Sequence, residues 1–173
     1  VVIPGLRPFG ASRRFAGPIF TIEQGKRSRS VGSGNLTRHM EVIDSLVAPG
    51  EVILISTAGD LEVCTLGALL LQRCKVRGVA GVVVYGCVRD VEELLEVDLP
   101  LLATGTSPLS SAYVYETTHV DTPLTLPQGT VHPGDIAFGD ATGVIVFPRQ
   151  YLKIAASGGE AVARRETEWA KAI

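Results

Sequence analysis

An α/β fold with mixed β-sheets and flanking helices is predicted by three features of this chain. Short, nearly continuous runs of Val, Leu and Ile mark strands covered on both faces. Segments with apolar residues at helical spacing lie between them. Late in the chain, strands punctuated by Pro and Gly argue against a plain doubly wound sheet.

In chain order, the first strand signal is Ile19 to Glu23. A helix over Thr37 to Val47 carries Met40, Ile43, Leu46 and Val47 on one stripe, and Pro49-Gly50 closes it. Val52 to Ser56 is a strand, followed by a long helix over Leu61 to Val76 with Leu66, Leu69, Leu70 and Cys74 in helical register. Val79 to Tyr85 completes a βαβ unit, and Asp90 to Glu96 reads as a short acidic helix. Further strands follow at Leu101 to Thr104, Ile136 to Phe138 and Val144 to Phe147. Alternation over Ala112 to Glu116 sets Tyr113 and Tyr115 on one face. The polar tail from Glu160 to Ile173 is helix-prone, giving a C-terminal helix over about 158–173.

A length of 173 residues fits one domain over 1–173, with no repeat, low-complexity tract or linker. Aromatics are only 6%, so the core must rest on aliphatic side chains. Charged residues, at 20%, are sparse enough to suit a chain that hides apolar surface in an oligomer. A net charge of −2 removes the general attraction to phosphate backbones, so no nucleic-acid partner is expected. One basic stretch, Lys26-Arg27-Ser28-Arg29, reads as a solvated loop or as a contact for an anionic partner. Cys64, Cys74 and Cys87 have no zinc spacing and read as small core residues in a reducing compartment. No apolar run is long enough to span a bilayer and no signal peptide is visible, so no membrane is expected and the cytoplasm is the default. The chain opens Val1-Val2-Ile3 without a methionine, which leaves room for an upstream segment.

Ligands of open α/β sheets collect beyond the carboxyl ends of the strands. That rule selects Thr57-Ala58-Gly59-Asp60 and the stretch ending in Arg89-Asp90, two exits that a single crevice would serve. Arginine presents a planar fork to a carboxylate, and aspartate is a hard oxygen ligand for Mg²⁺ or Mn²⁺. A 2-oxo acid offers both partners at once. The same dipeptide also reads as a helix start capped by Asp90, and Asp60 reads as another cap. His39, His119 and His132 are too scattered for a metal and read as structural, in a helix, a loop and a turn. No P-loop, dinucleotide fingerprint or partnered nucleophile is present.

The run from Arg77-Gly78-Val79-Ala80-Gly81 through Tyr85-Gly86-Cys87-Val88-Arg89-Asp90 resembles the signature of the RraA-like family. Four further blocks in family order support it: Phe15-Ala16-Gly17-Pro18, Pro49-Gly50-Glu51-Val52, Pro133-Gly134-Asp135-Ile136 and Asp140-Ala141-Thr142-Gly143. The family includes class II 4-hydroxy-4-methyl-2-oxoglutarate aldolases, RraA regulators of ribonuclease E, and proteins formerly labelled demethylmenaquinone methyltransferases.

The resemblance implies an α/β/β swivelling domain, a homotrimer or a dimer of trimers, and sites at subunit boundaries. It implies a divalent-metal-dependent lyase, of aldolase or oxaloacetate decarboxylase type, that stabilises a pyruvate enolate. Arg89 would then bind the 2-oxo acid and Asp90 the metal, Mg²⁺ or Mn²⁺. Gly67, Ala68, Leu69 and Leu70 would form the substrate-carboxylate loop, although Gly67 reads equally as a helix-packing glycine. Glu166 of a neighbouring subunit is the closest match to the glutamate that completes related sites; Glu160 and Glu168 are its neighbours, and all three also read as exposed helix charges. The chain departs from the aldolase pattern at Ala68, where active members carry an acid. RraA-type regulators also lack that acid, so the resemblance implies as its alternative a non-catalytic protein-binding regulator of ribonuclease activity.

Overall fold

In a computed structural model, which describes residues 1–10, 14–27 and 34–172, the chain forms a mixed α/β fold. Its strands are β1 (Val2–Ile3), β2 (Arg7–Pro8), β3 (Phe15–Lys26), β4 (Val52–Ser56), β5 (Cys64–Leu66), β6 (Gly81–Val88), β7 (Leu101–Thr106), β8 (Tyr115–Val120), β9 (Leu124–Leu126), β10 (Gly129–Val131), β11 (Ile136–Asp140) and β12 (Gly143–Phe147). Its helices are α1 (His39–Ser45), α2 (Ala68–Val76), α3 (Val91–Leu94) and α4 (Leu152–Ala170).

The long strand β3 organises the sheet. Its first residues pair antiparallel with β11, and Ile19–Glu23 pairs parallel with β4. From there β4, β6 and β7 continue in parallel, with β2 antiparallel at the far edge. Alternate residues of these strands serve two cores. Ile53, Ile55, Val82, Val84 and Leu101 pack with Ile43, Leu71, Cys74 and Leu94 of the helices. Val52, Leu54, Val83 and Leu102 face the other way, against Leu124, Val131, Ala137, Val144 and Val146 of the later strands. The result is helices, a central sheet and a second β layer, each parallel strand being buried on both faces. Phe15 joins the layers: its ring lies where a Cβ on Gly81 or Gly139 would stand. Cys64, Cys74 and Cys87 are free and buried, as expected of small core residues.

Several elements differ from the sequence expectation. The segment read as one helix over Leu61 to Val76 is a strand and a helix, split at Gly67. Thr65 is β-branched and Leu66 pairs with Val88, so the ladder captures Cys64–Leu66 before the helix starts. The strand read over Val79 to Tyr85 runs three residues further, because Cys87 and Val88 pair with Gly105 and Thr106 of β7. Helix α1 is shorter than Thr37 to Val47, and α3 is a single turn rather than Asp90 to Glu96. Tyr113 and Tyr115 do not share a face: Tyr113 is exposed on a 3₁₀ turn (Ser111–Tyr113) and Tyr115 is buried in β8. The C-terminal helix begins at Leu152, well before 158, since Ala155-Ala156 hold the helix ahead of Gly158-Gly159. Ile173 lies outside the described residues, as do Ser28 and Arg29 of the basic stretch. Lys26 of that stretch is paired with Asp60, and Arg27 donates to the Gly34 carbonyl. Among the described residues, no helix is long and apolar enough to cross a membrane.

Candidate active site around Arg89 and Asp90

Strand β6 ends at Val88, and the chain turns at once. Arg89 N–H donates to the Leu66 carbonyl at 2.9 Å, tying the turn to the end of β5. Asp90 then adopts a left-handed conformation, φ 59° and ψ 49°, which few residues other than glycine, asparagine and aspartate tolerate. Although Asp90 stands at the start of α3, its side chain makes no cap there. It reaches back to α2 instead, where Oδ2 accepts from Ala68 N–H at 3.1 Å. The capping role expected from sequence is therefore filled at a different helix. The N-terminus of α2 favours this carboxylate through its free N–H groups and its dipole.

Gly67 makes the approach possible. A Cβ there would collide with Asp90 Oδ2 and stand 3.1 Å from Arg89 Nε. Gly67 thus caps α2 in extended conformation and makes room for the charged pair; it is not a helix-packing residue. Arg89 Nε lies 3.6 Å from Asp90 Oδ2, and Nη1 lies 3.4 Å from Cys64 Sγ. Both side chains stay about two-fifths exposed, so the pair is not locked into the interior. Asp90 Oδ1 and Arg89 Nη2 have no partner among the described residues.

The two side chains open into a cavity of about 420 Å³. Gly67, Leu69 and Leu70 also line it, whereas Ala68 is turned into the helical core. Leu69 N–H, in the first turn of α2, has no acceptor among the described residues and is left for an anion. The loop after β4 does not share this cavity. Thr57, Ala58, Gly59 and Asp60 line a second one with Gln24, Lys26 and Tyr115, so the single crevice expected from sequence is two. Asp60 is not a helix cap: Tyr115 Oη donates to it, Lys26 Nζ lies 3.4 Å away, and Glu62 N–H donates at 2.7 Å. Hydrogen bonding from Tyr115 leads the effects that hold its carboxyl below the usual range. Glu166 is exposed on α4 and does not line the Arg89 cavity; Glu160 pairs with Arg164 at 3.8 Å.

Sequence reasoning missed the further polar lining of this cavity, from Asn35, Thr37, His39, Thr65, Ser110 and Ser111. These residues come from three separate segments, and no motif links them. His119, read as a loop residue, lies in β8 with Nδ1 3.0 Å from Glu23 Oε2. His39 is different: it is 6% exposed, and burial pulls its imidazole down to about 4. An unfolded chain takes up this proton near pH 6.5, so the stability due to neutral His39 is complete above that pH. It is lost as pH falls toward 4. Between pH 6.5 and 4 the fold is expected to lose up to about 3 kcal/mol through this group. Urea unfolding of wild type and His39→Asn across that range checks it; parallel pH slopes would refute the assignment.

The RraA-like family model, described as Aldolase/RraA, matches residues 1–146. The chain belongs to the RraA-like family. A 4-hydroxy-4-methyl-2-oxoglutarate aldolase of Thermus thermophilus is 35% identical over 142 residues, 82% of this chain and 80% of that one. Among solved structures, the RNA-processing inhibitor RraA of Thermus is 34% identical with a TM-score of 0.72, covering 86% of this chain and 85% of its own. Streptomyces coelicolor RraAS2, described as an unusual member of the RNase ES inhibitor RraA protein family, is 25% identical with a TM-score of 0.82, covering 96% and 82%. RraA-like relatives thus carry two kinds of name, one for an enzyme of small molecules and one for an inhibitor of RNA processing. In this chain the Arg89-Asp90 pair opens into a cavity and Ala68 is buried beside it.

Proposed function

We propose that this protein is a lyase of small 2-oxo acids, of the aldolase or oxaloacetate decarboxylase kind, working at Arg89 and Asp90. One observation carries the reading: Gly67 lacks a side chain where the Arg89-Asp90 pair stands, so both charged groups reach the cavity from one turn. The named aldolase relative supports it.

Asp90 is suited to a divalent cation such as Mg²⁺ or Mn²⁺. Its Oδ1 is unpartnered among the described residues, and Mg²⁺ commonly takes only one or two carboxylates and completes its shell with water and substrate. Among the described residues no group of three or more acids, histidines or cysteines could hold a metal, so water and substrate would fill most of the shell of an ion held by Asp90. A bound cation would supply Lewis acidity toward the keto oxygen.

The chain's own groups do the rest. The Arg89 guanidinium has free donors with which to clamp the substrate carboxylate, and its charge lies beside the carbon unit that becomes electron-rich as the carbon–carbon bond breaks. Leu69 N–H at the end of α2 adds a neutral donor for the same anion. Leu69 and Leu70 give the cavity wall its aliphatic surface beside the charged pair.

With Mg²⁺, the purified protein is expected to release pyruvate from oxaloacetate above the metal-only background. Arg89→Leu is expected to lower kcat/KM at least about a hundredfold, as removal of a charged clamp in a partly dehydrated site does. A coupled lactate dehydrogenase assay measures both. A wild-type rate equal to the background, with 4-hydroxy-4-methyl-2-oxoglutarate as well as with oxaloacetate, rejects the lyase reading.

A second reading, an RraA-type protein-binding regulator of ribonuclease activity, is favoured by Ala68, a methyl group packed in the core at the position where active aldolases are expected to carry an acid. Inhibition of ribonuclease E by the Asp90→Asn protein as strongly as by wild type would support it. In either role we propose that copies associate as a trimer. The exposed Ile154, Val162 and Trp169 of α4 and the apolar cleft of about 410 Å³ between α4 and Ile136, Phe138, Ile145 and Phe147 support association.

A further inference from the structure

The cavity of Arg89 and Asp90 is also lined by a buried imidazole that the lyase reading leaves unused. His39 opens α1 and lines the cavity with Thr65. Its Nε2 lies 2.5 Å from Gln24 Nε2, and Gln24 Oε1 accepts from Thr65 Oγ1 at 2.5 Å. With Oε1 occupied by the threonine proton, the amide turns its N–H toward the imidazole. His39 Nε2 is then the acceptor, and the ring proton resides on Nδ1.

Gln24 and Thr65 are themselves buried, at 4% and 5% exposure, and lie on β3 and β5. Three elements therefore hold one ring in one tautomer, and burial keeps it neutral near pH 7. Nδ1 has no partner among the described residues. Nδ1 is not among the fully enclosed polar atoms left without a partner, so water or a ligand in the cavity that His39 lines can reach it and accept its proton. Arg38, the neighbouring cation, is tied to Glu41 through both Nε and Nη2 and offers no equivalent free fork.

We propose that His39 is a binding residue of this site whose Nδ1–H donates to a carbonyl or hydroxyl oxygen of the 2-oxo acid while Arg89 takes the carboxylate. The proposal rests on the lyase reading of the Arg89-Asp90 pair. It makes Gln24 and Thr65 positioning residues that fix the tautomer. A neutral donor held this way reads where an oxygen stands rather than how much charge the ligand carries.

The test is long-range ¹H–¹⁵N NMR of the full, ¹⁵N-labelled chain, titrated with pyruvate in the presence of Mg²⁺. His39 is expected to show protonated Nδ1 and unprotonated Nε2, unchanged from pH 7.5 to about 5.5, and pyruvate is expected to shift Nδ1. His39→Leu should raise the pyruvate Kd about three- to tenfold, and His39→Asn, whose amide N–H stands near the Nδ1 position, should restore it to within about twofold. If His39→Leu fails to fold, the wild-type titration decides alone. Protonated Nε2 overturns the assignment. Pyruvate that shifts the Arg89 Nε–H signal but leaves His39 Nδ1 in place overturns it while sparing the lyase reading. Pyruvate that shifts neither signal overturns both.

Discussion

Asp90→Asn is expected to abolish metal-dependent pyruvate release, lowering kcat/KM at least about a hundredfold, while the protein stays folded. The two outcomes separate because the side chain has two separate duties. Its Oδ2 accepts from Ala68 N–H at 3.1 Å, and an amide oxygen can do the same. Loss of charge at the N-terminus of α2 and beside Arg89 costs about 1 kcal/mol or less for a group this exposed. The other duty needs an anion: Oδ1, free among the described residues, is the one carboxylate oxygen left for a hard cation. Glu41, the other acid lining the cavity, is tied to Arg38 and is a poor substitute. Steady-state rates at several Mg²⁺ concentrations, with a thermal melt of each protein, check both halves. Activity of Asp90→Asn within a few fold of wild type would remove Asp90 from the chemistry.

Gly67→Ala, a change of one methyl group, is expected to cost a comparable amount of activity by displacement rather than by deletion. The new Cβ would overlap Asp90 Oδ2 and crowd Arg89 Nε and Cγ, at 3.1 and 3.2 Å. The backbone of Gly67 is extended, φ −132°, so an alanine is not strained in itself and the whole effect is the collision. Something must yield, and the half-exposed Arg89-Asp90 turn is softer than the buried end of β5. A shift of about 1 Å in reacting groups costs on the order of 10²-fold in rate. Stability should fall by about 1 kcal/mol, since alanine is a poorer cap than glycine and Ala68 N–H loses its acceptor. Pyruvate release and melting temperature measured together distinguish this from global unfolding. A rate near wild type would mean that Asp90 does not need its present position.

The βαβ frame was legible because its strands are buried on both faces, which writes Val52 to Ile55 as an unbroken apolar run. The turn at Arg89-Asp90 followed from that frame and from the resemblance of the surrounding run. What eluded the sequence depends on partners distant in the chain. Cys64–Leu66 reads as helix by apolar spacing and becomes a strand only because the end of β6 is there to pair with it. Asp90 reads as the cap of its own short helix, yet it serves a helix that begins twenty-two residues earlier. His39 is one histidine in a predicted helix until β3 and β5 bring Gln24 and Thr65 against its ring. Helix α4 was visible from Glu160 onward, but Gly158-Gly159, poor helix formers, separate that run from its true start at Leu152. Local pattern reports whether a residue is buried or exposed; it does not report which long-range neighbour receives it.

The decisive measurement is a crystal soaked with Mg²⁺ and oxalate, a stable chelating stand-in for the 2-oxo acid. Density for the cation on Asp90 and for an oxalate carboxylate against the Arg89 guanidinium is the predicted result. Well-ordered Arg89 and Asp90 side chains that keep to each other, with oxalate absent or bound elsewhere, would contradict it.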